Sequence, residues 1–170
     1  MYVVVSGPPG SGKTTLAGAL ARELGLPLLA KDTVKDALIG VLTAPDLSES
    51  RRLGGAAVAV VLALAALNDG AVLDSVWHRS RASAELQALP APVVEVFCRC
   101  DRALVESRYA ARAATREHHF DHQRTAEELW NDEVAEPVAG GWPVLEVDTS
   151  GSVDVKALAQ RVRRAAGSGA

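Results

Sequence analysis

The stretch GPPGSGKTT, residues 7–15, follows directly on the apolar opening MYVVVS. Residues 2–5 (YVVV) are a short β-branched run ended by Gly and Pro, which predicts a buried central strand. From Lys13 to Leu24 the residues Leu16, Leu20 and Leu24 form one stripe before Gly25, which predicts a helix and its stop. Strand, glycine-rich loop and helix together are the setting in which the spacing Gly7-x-x-x-x-Gly12-Lys13-Thr14 cradles phosphate as a P-loop. Glycines let the backbone curl so that the amides of Gly10, Ser11, Gly12, Lys13 and Thr14 point inward at the positive end of a helix. Pro8 and Pro9 have no N–H and stiffen the entry. Lys13 is expected to reach the β- and γ-phosphates, and the Thr14 hydroxyl to take a place on Mg²⁺. The expected ATP-binding set is therefore Gly7, Gly10, Ser11, Gly12, Lys13, Thr14 and Thr15.

Beyond the loop, apolar runs alternate with helical patterns. PLLA (27–30), AVLDSV (71–76), PVVEVFC (92–98) and PVLEVD (143–148) predict four more strands. Helices are expected over Asp32–Leu42, Glu49 to about Asn68, Arg81–Leu89, a segment capped by Asp101, Thr125–Val134 and Val153–Ala166. Strands alternating with helices predict an α/β fold, a parallel sheet covered on both faces in three layers.

The 170 residues suit one domain, taken as 1–166 with a flexible tail at 167–170. Hydrophobic residues make up 48% of the chain, enough for a buried core, while aromatics at 4% leave the packing to aliphatic side chains. A net charge of −3 without a basic run does not favour a polynucleotide surface. The longest apolar run, 56–67, is too short and Ala-rich for a membrane span and reads as a buried helix. No charged leader with a cleavage site precedes the Val run, and Cys98 and Cys100 form neither a disulfide framework nor a zinc site of known spacing. Reduced thiols and a cytoplasmic location are the expectation.

A GTPase should carry an N-K-x-D base-reading motif, and none occurs. AAA+ and RecA-type motors need more chain. The segment RRLGGAAVAVVLALAALNDGAVLD has the outline of a transporter signature, but Ser75 stands where a catalytic Glu should follow Asp74. A small phosphotransferase remains. GPPGSGKTTLAGALARELGLPLLAKD resembles the start of small P-loop kinases related to nucleoside monophosphate kinases. More narrowly, it looks like the branch with chloramphenicol phosphotransferase, polynucleotide kinase domains and zeta toxins. The resemblance extends through Lys31-Asp32, the strand ending in Asp74, and CRCDRALVESRYAAR, the helix leading to an arginine-bearing lid.

That resemblance implies a five-stranded parallel sheet in the order 2-3-1-4-5, with the acceptor over the C-terminal strand edges. It implies an ATP- and Mg²⁺-dependent kinase moving the γ-phosphoryl group to a hydroxyl of a small molecule such as an antibiotic, sugar or nucleoside. Nucleoside monophosphate kinase, polynucleotide 5′-hydroxyl kinase and a non-catalytic ATP-binding switch are the alternatives. Asp32 is either an N-cap or the acceptor-site carboxylate that accepts or aims the hydroxyl proton. Asp74, a charge at the tip of a buried strand, is expected to hold Mg²⁺ through water.

Trp77, His78 and Arg79 follow, and Arg79 is a candidate for holding a polar or anionic group of the acceptor. Arg108, Arg112 and Arg116 recur every four residues and share a face if the helix persists. The resemblance implies that Arg108 and Arg112 reach the nucleotide and steady the transferring group. REHHFDH (116–122) reads as part of a mobile lid near 113–124 rather than as a metal site. Asp148-Thr149-Ser150 falls where the resemblance puts an adenine-packing loop. Lys31 and Lys35 read as surface charges, and both cysteines as core packing.

Overall fold

The computed structural model describes residues 1–90, 92–113, 116 and 119–167. Five parallel strands form one sheet in the order β2-β3-β1-β4-β5, as the resemblance implied. They are β1 (Tyr2–Ser6), β2 (Leu28–Ala30), β3 (Ala71–Asp74), β4 (Val93–Arg99) and β5 (Val144–Asp148). The helices between them are α1 (Lys13–Leu24), α2 (Lys31–Leu42), α3 (Leu47–Ala66), α4 (Arg79–Gln87) and α5 (Arg102–Ala113), then α6 (Ala126–Trp130), α7 (Asp132–Ala135) and α8 (Val155–Gly167). A 3-10 turn, Asp121–Gln123, lies between α5 and α6. Among the described residues no helix is long and apolar enough to cross a membrane.

β1 is buried along its whole length because a strand flanked by two others and covered on both faces has no solvent side. Its side chains alternate between two cores. Val3 and Val5 pack with Leu16, Leu20, Leu158 and Val162 of α1 and α8. Tyr2 and Val4 pack on the opposite face with Val61, Ala65, Ala82 and Leu86 of α3 and α4. The Tyr2 hydroxyl donates to the carbonyl of Asn68 at 2.6 Å, tying β1 to the end of α3. The buried positions of α3 are Ser50, Leu53, Ala57, Val61 and Ala65, one stripe at three- and four-residue spacing.

Register positions the site. Val5 pairs with Asp74, and Ala30 pairs with the same residue from the other side. Three strands therefore end level with one another, so the loop after β1, the carboxylate of β3 and the start of α2 emerge along one edge of the sheet.

One local expectation changes. The helix expected over Thr125–Val134 is split, because Asn131 is extended (φ −75°, ψ 172°) and its side chain accepts from the Glu133 amide at 3.1 Å, capping α7. In β4, Glu95 is fully buried among apolar neighbours. Its carboxylate accepts from Ser6 Oγ at 2.5 Å, the amides of Val138 and Ala139 at 2.8 and 2.9 Å, and Trp142 Nε1 at 3.2 Å. A fully ligated carboxylate of this kind ties the segment after α7 to the centre of the sheet.

Candidate functional site

The loop of residues 7–12 runs from β1 into α1 on left-handed glycines: φ is +88° at Gly10 and +86° at Gly12. A Cβ on Gly10 would stand 2.3 Å from the Val105 carbonyl oxygen, so α5 packs against bare backbone there. Two hydrogen bonds hold the loop from outside, and a third side chain braces one of them. Trp130 Nε1 donates to the Pro9 carbonyl at 3.1 Å, and the Thr149 hydroxyl to that of Ser11 at 2.6 Å. Arg108 donates to the carbonyls of Thr149 and Ser150 at 3.1 and 3.2 Å, closing the bracket on the far side of Gly12.

The Ser11 amide turns into the loop itself, donating to Pro8 at 3.2 Å, rather than joining an inward nest. The first-turn amides of α1 have no partner within their own helix and carry its positive end. Ser11 Oγ is buried without a hydrogen-bond partner among the described residues, the kind of orphan a bound oxyanion satisfies. Lys13 is buried, and its Nζ donates to the Pro8 carbonyl at 2.9 Å. Burial lowers its pKa, opposed chiefly by the Asp74 charge.

Asp74 is 4% exposed. Burial raises its pKa, while Lys13 and a hydrogen bond from Thr14 pull the other way. A carboxylate and a hydroxyl side by side beneath a cationic loop are the hard oxygen donors that suit Mg²⁺. Among the described residues no group of three or more His, Cys, Asp or Glu is placed to hold a metal by itself, so such an ion would complete its shell with phosphate and water. Thr15 is exposed in the first turn of α1.

Beside the loop lies a cavity of about 410 Å³. Its walls come from α2, α3, the β3–α4 connection, the C-terminal half of α5 and the Arg116–Leu129 region. Asp32 is at its lip. It is not an N-cap: Ala30 holds that position, without a side-chain bond. Instead its carboxylate is gripped by Lys31 Nζ at 2.9 Å and Arg116 Nη2 at 2.8 Å. Burial works against the charged form, but these two cations outweigh it and hold the Asp32 carboxyl well below the usual carboxylate range. The charge of Asp32 is felt at both Lys13 and Asp74, which places the cavity lip and the loop in one electrostatic unit.

Two expectations about neighbouring cations are corrected. Lys31 pairs with Asp32, and Lys35 is 1% exposed, with Nζ on Ser50 Oγ at 2.7 Å. Neither is a free surface charge. Arg79 opens α4 exposed and does not line the cavity, whereas Arg81 does. The three arginines at four-residue spacing have different partners; Arg108 and Arg112 lie in α5, which ends at Ala113 before Arg116. Arg108 goes to the β5 loop, Arg112 stacks over the Tyr109 ring at 5.4 Å and lines the cavity, and Arg116 reaches Asp32. The charge of Arg112 is felt by Lys13 and Asp74 alike.

Of the histidine-rich segment, Glu117 and His118 lie outside the described residues, as do Ala114 and Thr115 of the expected lid and Ser168–Ala170 of the tail. His119 is buried and bridges Asp36 to Arg116. Burial lowers its pKa, so one neutral ring nitrogen donates to Asp36 while Nδ1 accepts. Sequence reasoning missed Lys35, Ser50 and His119. The signal for Lys35 was its place four residues before buried Ile39 on one stripe of α2; nothing local marks His119, whose partner Asp36 is 83 residues away.

A family model described as an AAA domain, AAA_33, matches residues 3–137. No curated protein matches the sequence significantly. Among solved structures, a protein from Chloroflexus aurantiacus J-10-fl inferred to be a kinase is 29% identical, with a TM-score of 0.84 and 96% of each chain covered. Chaetomium thermophilum Kti12 in complex with ADP-AlF3 shares the fold at 18% identity and a TM-score of 0.66, covering 98% of this chain and 99% of that one. Acinetobacter baumannii shikimate kinase in complex with shikimate shares it at 16% identity and a TM-score of 0.62, covering 99% and 93%. Loop, Lys13 and Asp74 at the edge of a 2-3-1-4-5 sheet, together with a family match over most of the sequence, lead to one assignment: the chain belongs to the AAA_33 family of AAA domains, as a small P-loop kinase-like protein.

Proposed function

We propose that the protein is an ATP-dependent phosphotransferase that moves the γ-phosphoryl group to a hydroxyl of a small molecule seated in the cavity. The observation that carries this is the position of Asp32, at the lip of the cavity and within electrostatic reach of Lys13 and Asp74. A cavity of about 410 Å³ is of a size that suits a small acceptor.

In this reading the first-turn amides of α1 and Lys13 hold the phosphates, and Arg108 with the Thr149–Ser150 backbone borders the nucleoside. Thr14 and Asp74 would hold Mg²⁺, which when bound neutralises charge on the phosphates. Asp32 accepts a hydrogen bond from the acceptor hydroxyl and aims its oxygen in line with the γ-phosphorus. Held ionised by two cations, it is a weak base. Its contribution is therefore orientation, with the proton leaving late, once the new O–P bond has formed and the bond to the β-phosphate oxygen has broken. Arg112 and Arg116 face the space between and offset charge on the transferring group. The segment around 116–124 would serve as the lid that excludes water.

The test is phosphorus NMR of the protein with Mg-ATP and pooled acceptors: phenicols, aminoglycosides, sugars, nucleosides, nucleoside monophosphates and a 5′-hydroxyl oligonucleotide. A new phosphate-ester resonance, lost in Lys13→Ala and Asp32→Asn, is the expected result. ADP and free phosphate alone, at a rate indifferent to Asp32→Asn, would instead indicate a nucleotide-occupancy switch.

A further inference from the structure

A buried ammonium group needs a counter-charge or is pressed toward its neutral form. Lys35, 1% exposed, is such a group. Its Nζ donates to Ser50 Oγ at 2.7 Å and stands 3.5 Å from His119 Nδ1, both uncharged partners. No carboxylate lies within ion-pair distance of it among the described residues, and the nearby ones are engaged elsewhere. Asp32 is held by Lys31 and Arg116, Glu128 by Arg51 and Arg124, and Asp36 by His119. Burial, reinforced by Lys31, Arg124 and Arg116, lowers the Lys35 pKa to about 8, with Asp32 alone opposing.

The whole cavity repeats this imbalance. Seven Lys and Arg side chains line it against four Asp and Glu, in a chain whose net charge is −3. The excess of positive charge is thus local to the cavity and opposite in sign to the rest of the molecule. A second feature points to a polar occupant. The Trp77 indole N–H, in a residue 3% exposed that lines the same cavity, has no acceptor among the described residues.

Lys35 lies three residues after Asp32 on α2, so the two Cβ atoms are about 5–6 Å apart on one side of the helix. That separation matches a molecule whose oxyanion and reacting hydroxyl are a few bonds apart. We propose that the acceptor is an anionic hydroxyl compound, its carboxylate or phosphate group seated on Lys35 beside Ser50 while its hydroxyl is presented to Asp32. This rests on the kinase reading and narrows it: a neutral acceptor would leave Lys35 buried and uncompensated, and would be indifferent to its replacement.

Calorimetric titration of the full chain tests the pairing directly. The protein is first saturated with Mg-AMP-PNP so that the phosphate loop does not compete for the probes. Gluconate is compared with glucitol, and glycerol 3-phosphate with glycerol, on wild type and on Lys35→Met. At least one anionic probe should bind about tenfold more tightly than its neutral counterpart, with the preference abolished in Lys35→Met. Which pair shows it distinguishes a carboxylate from a phosphate ester. Because Lys35→Met could perturb folding, lysine ¹³C NMR of the wild type gives a second readout: the Lys35 pKa should rise from about 8 on adding the preferred probe.

Equal or absent binding of charged and neutral probes, or an anion preference untouched by Lys35→Met, overturns the proposal. The kinase reading fails separately. It falls if the anions bind through Lys35 yet no phosphate ester forms, and it survives alone if neutral acceptors are phosphorylated as readily as charged ones.

Discussion

Arg116 Nη2 lies 2.8 Å from Asp32 Oδ2, joining the segment after α5 to the second residue of α2 across 84 positions of sequence. One ion pair thus couples the proposed lid to the proposed acceptor carboxylate, and Lys31 grips the other oxygen of that carboxylate at 2.9 Å. Removing the carboxylate charge by Asp32→Asn should lower phosphoryl transfer about 10²-fold or more through lost orientation, and alter nucleotide affinity far less, since its charge reaches Lys13 and Asp74 only across the cavity lip. Single-turnover transfer beside fluorescent-nucleotide binding separates the two effects.

Arg116→Gln acts on the same carboxylate from the other side. With one of two restraining cations gone, the carboxyl pKa must rise from its depressed position, because burial then meets less opposition. Aspartate ¹³C titration reads that rise directly. A carboxyl that titrates unchanged in Arg116→Gln would mean that Lys31 alone sets it.

Gly10→Ala should damage nucleotide binding more than its single methyl group implies. The backbone sits at φ +88°, and the added Cβ would meet the Val105 carbonyl oxygen at 2.3 Å. Left-handed strain alone costs about 1–2 kcal/mol, and either α5 or the loop must also move. At least tenfold weaker binding of Mg-ATP, with a lower melting temperature, is expected by titration calorimetry and thermal unfolding. Gly55→Ala, in α3 where an added Cβ meets nothing within 4 Å, is the control: Mg-ATP binding should stay unchanged, and the melting temperature should hold or rise slightly, since alanine favours a helix interior.

Glu95→Ala removes the acceptor of four donors at the centre of the molecule. Each buried donor left unpaired costs about 1–3 kcal/mol, partly relieved where water enters the space. A loss of at least about 3 kcal/mol, roughly 6–12 °C in melting temperature for a chain this size, is expected in urea and thermal unfolding. A shift under about 1 kcal/mol would show that the network relaxes rather than breaks.

The phosphate loop was legible because its function is written in contiguous residues, with the strand before and the helix after supplying their own signals. The sheet order agrees with what the family resemblance implied, whereas the register that sets Asp74 beside Val5 and Ala30 is visible only in the structure. At Glu95, as at Asp74, a charge inside a run of apolar strand residues demands a partner, but its four donors lie on β1 and on the segment 138–142, so the sequence names the need and not the partners. Asn131-Asp132-Glu133 carried a cap signature that marked the break between α6 and α7. The cavity was the least legible part. Lys35, Ser50 and His119 meet only through tertiary packing across 84 residues, and no local pattern encodes that meeting.

Lys35 also makes the stability of the unliganded protein depend on pH in a direction opposite to that of a salt-bridged lysine. Its pKa is about 8 in the folded chain against 10.5 for an unhindered lysine. Between those values the unfolded chain binds the proton and the folded chain does not, so unfolding stability rises with pH across that window. Below about pH 8 the ammonium is carried into the folded state at its full cost. The groups facing it from α2 and the 116–124 segment are Lys31, Asp32, Arg116, His119 and Arg124. Of these only His119 titrates in its ordinary form near neutrality, and burial keeps it neutral throughout the window. Stability relative to Lys35→Met should therefore climb by up to about 3 kcal/mol from pH 7.5 to 10.5, measured by urea unfolding of both proteins at each pH. A difference that stays flat, or falls, would mean that Lys35 finds a counter-charge in the folded protein, and the case for an anion-seeking cavity would weaken with it.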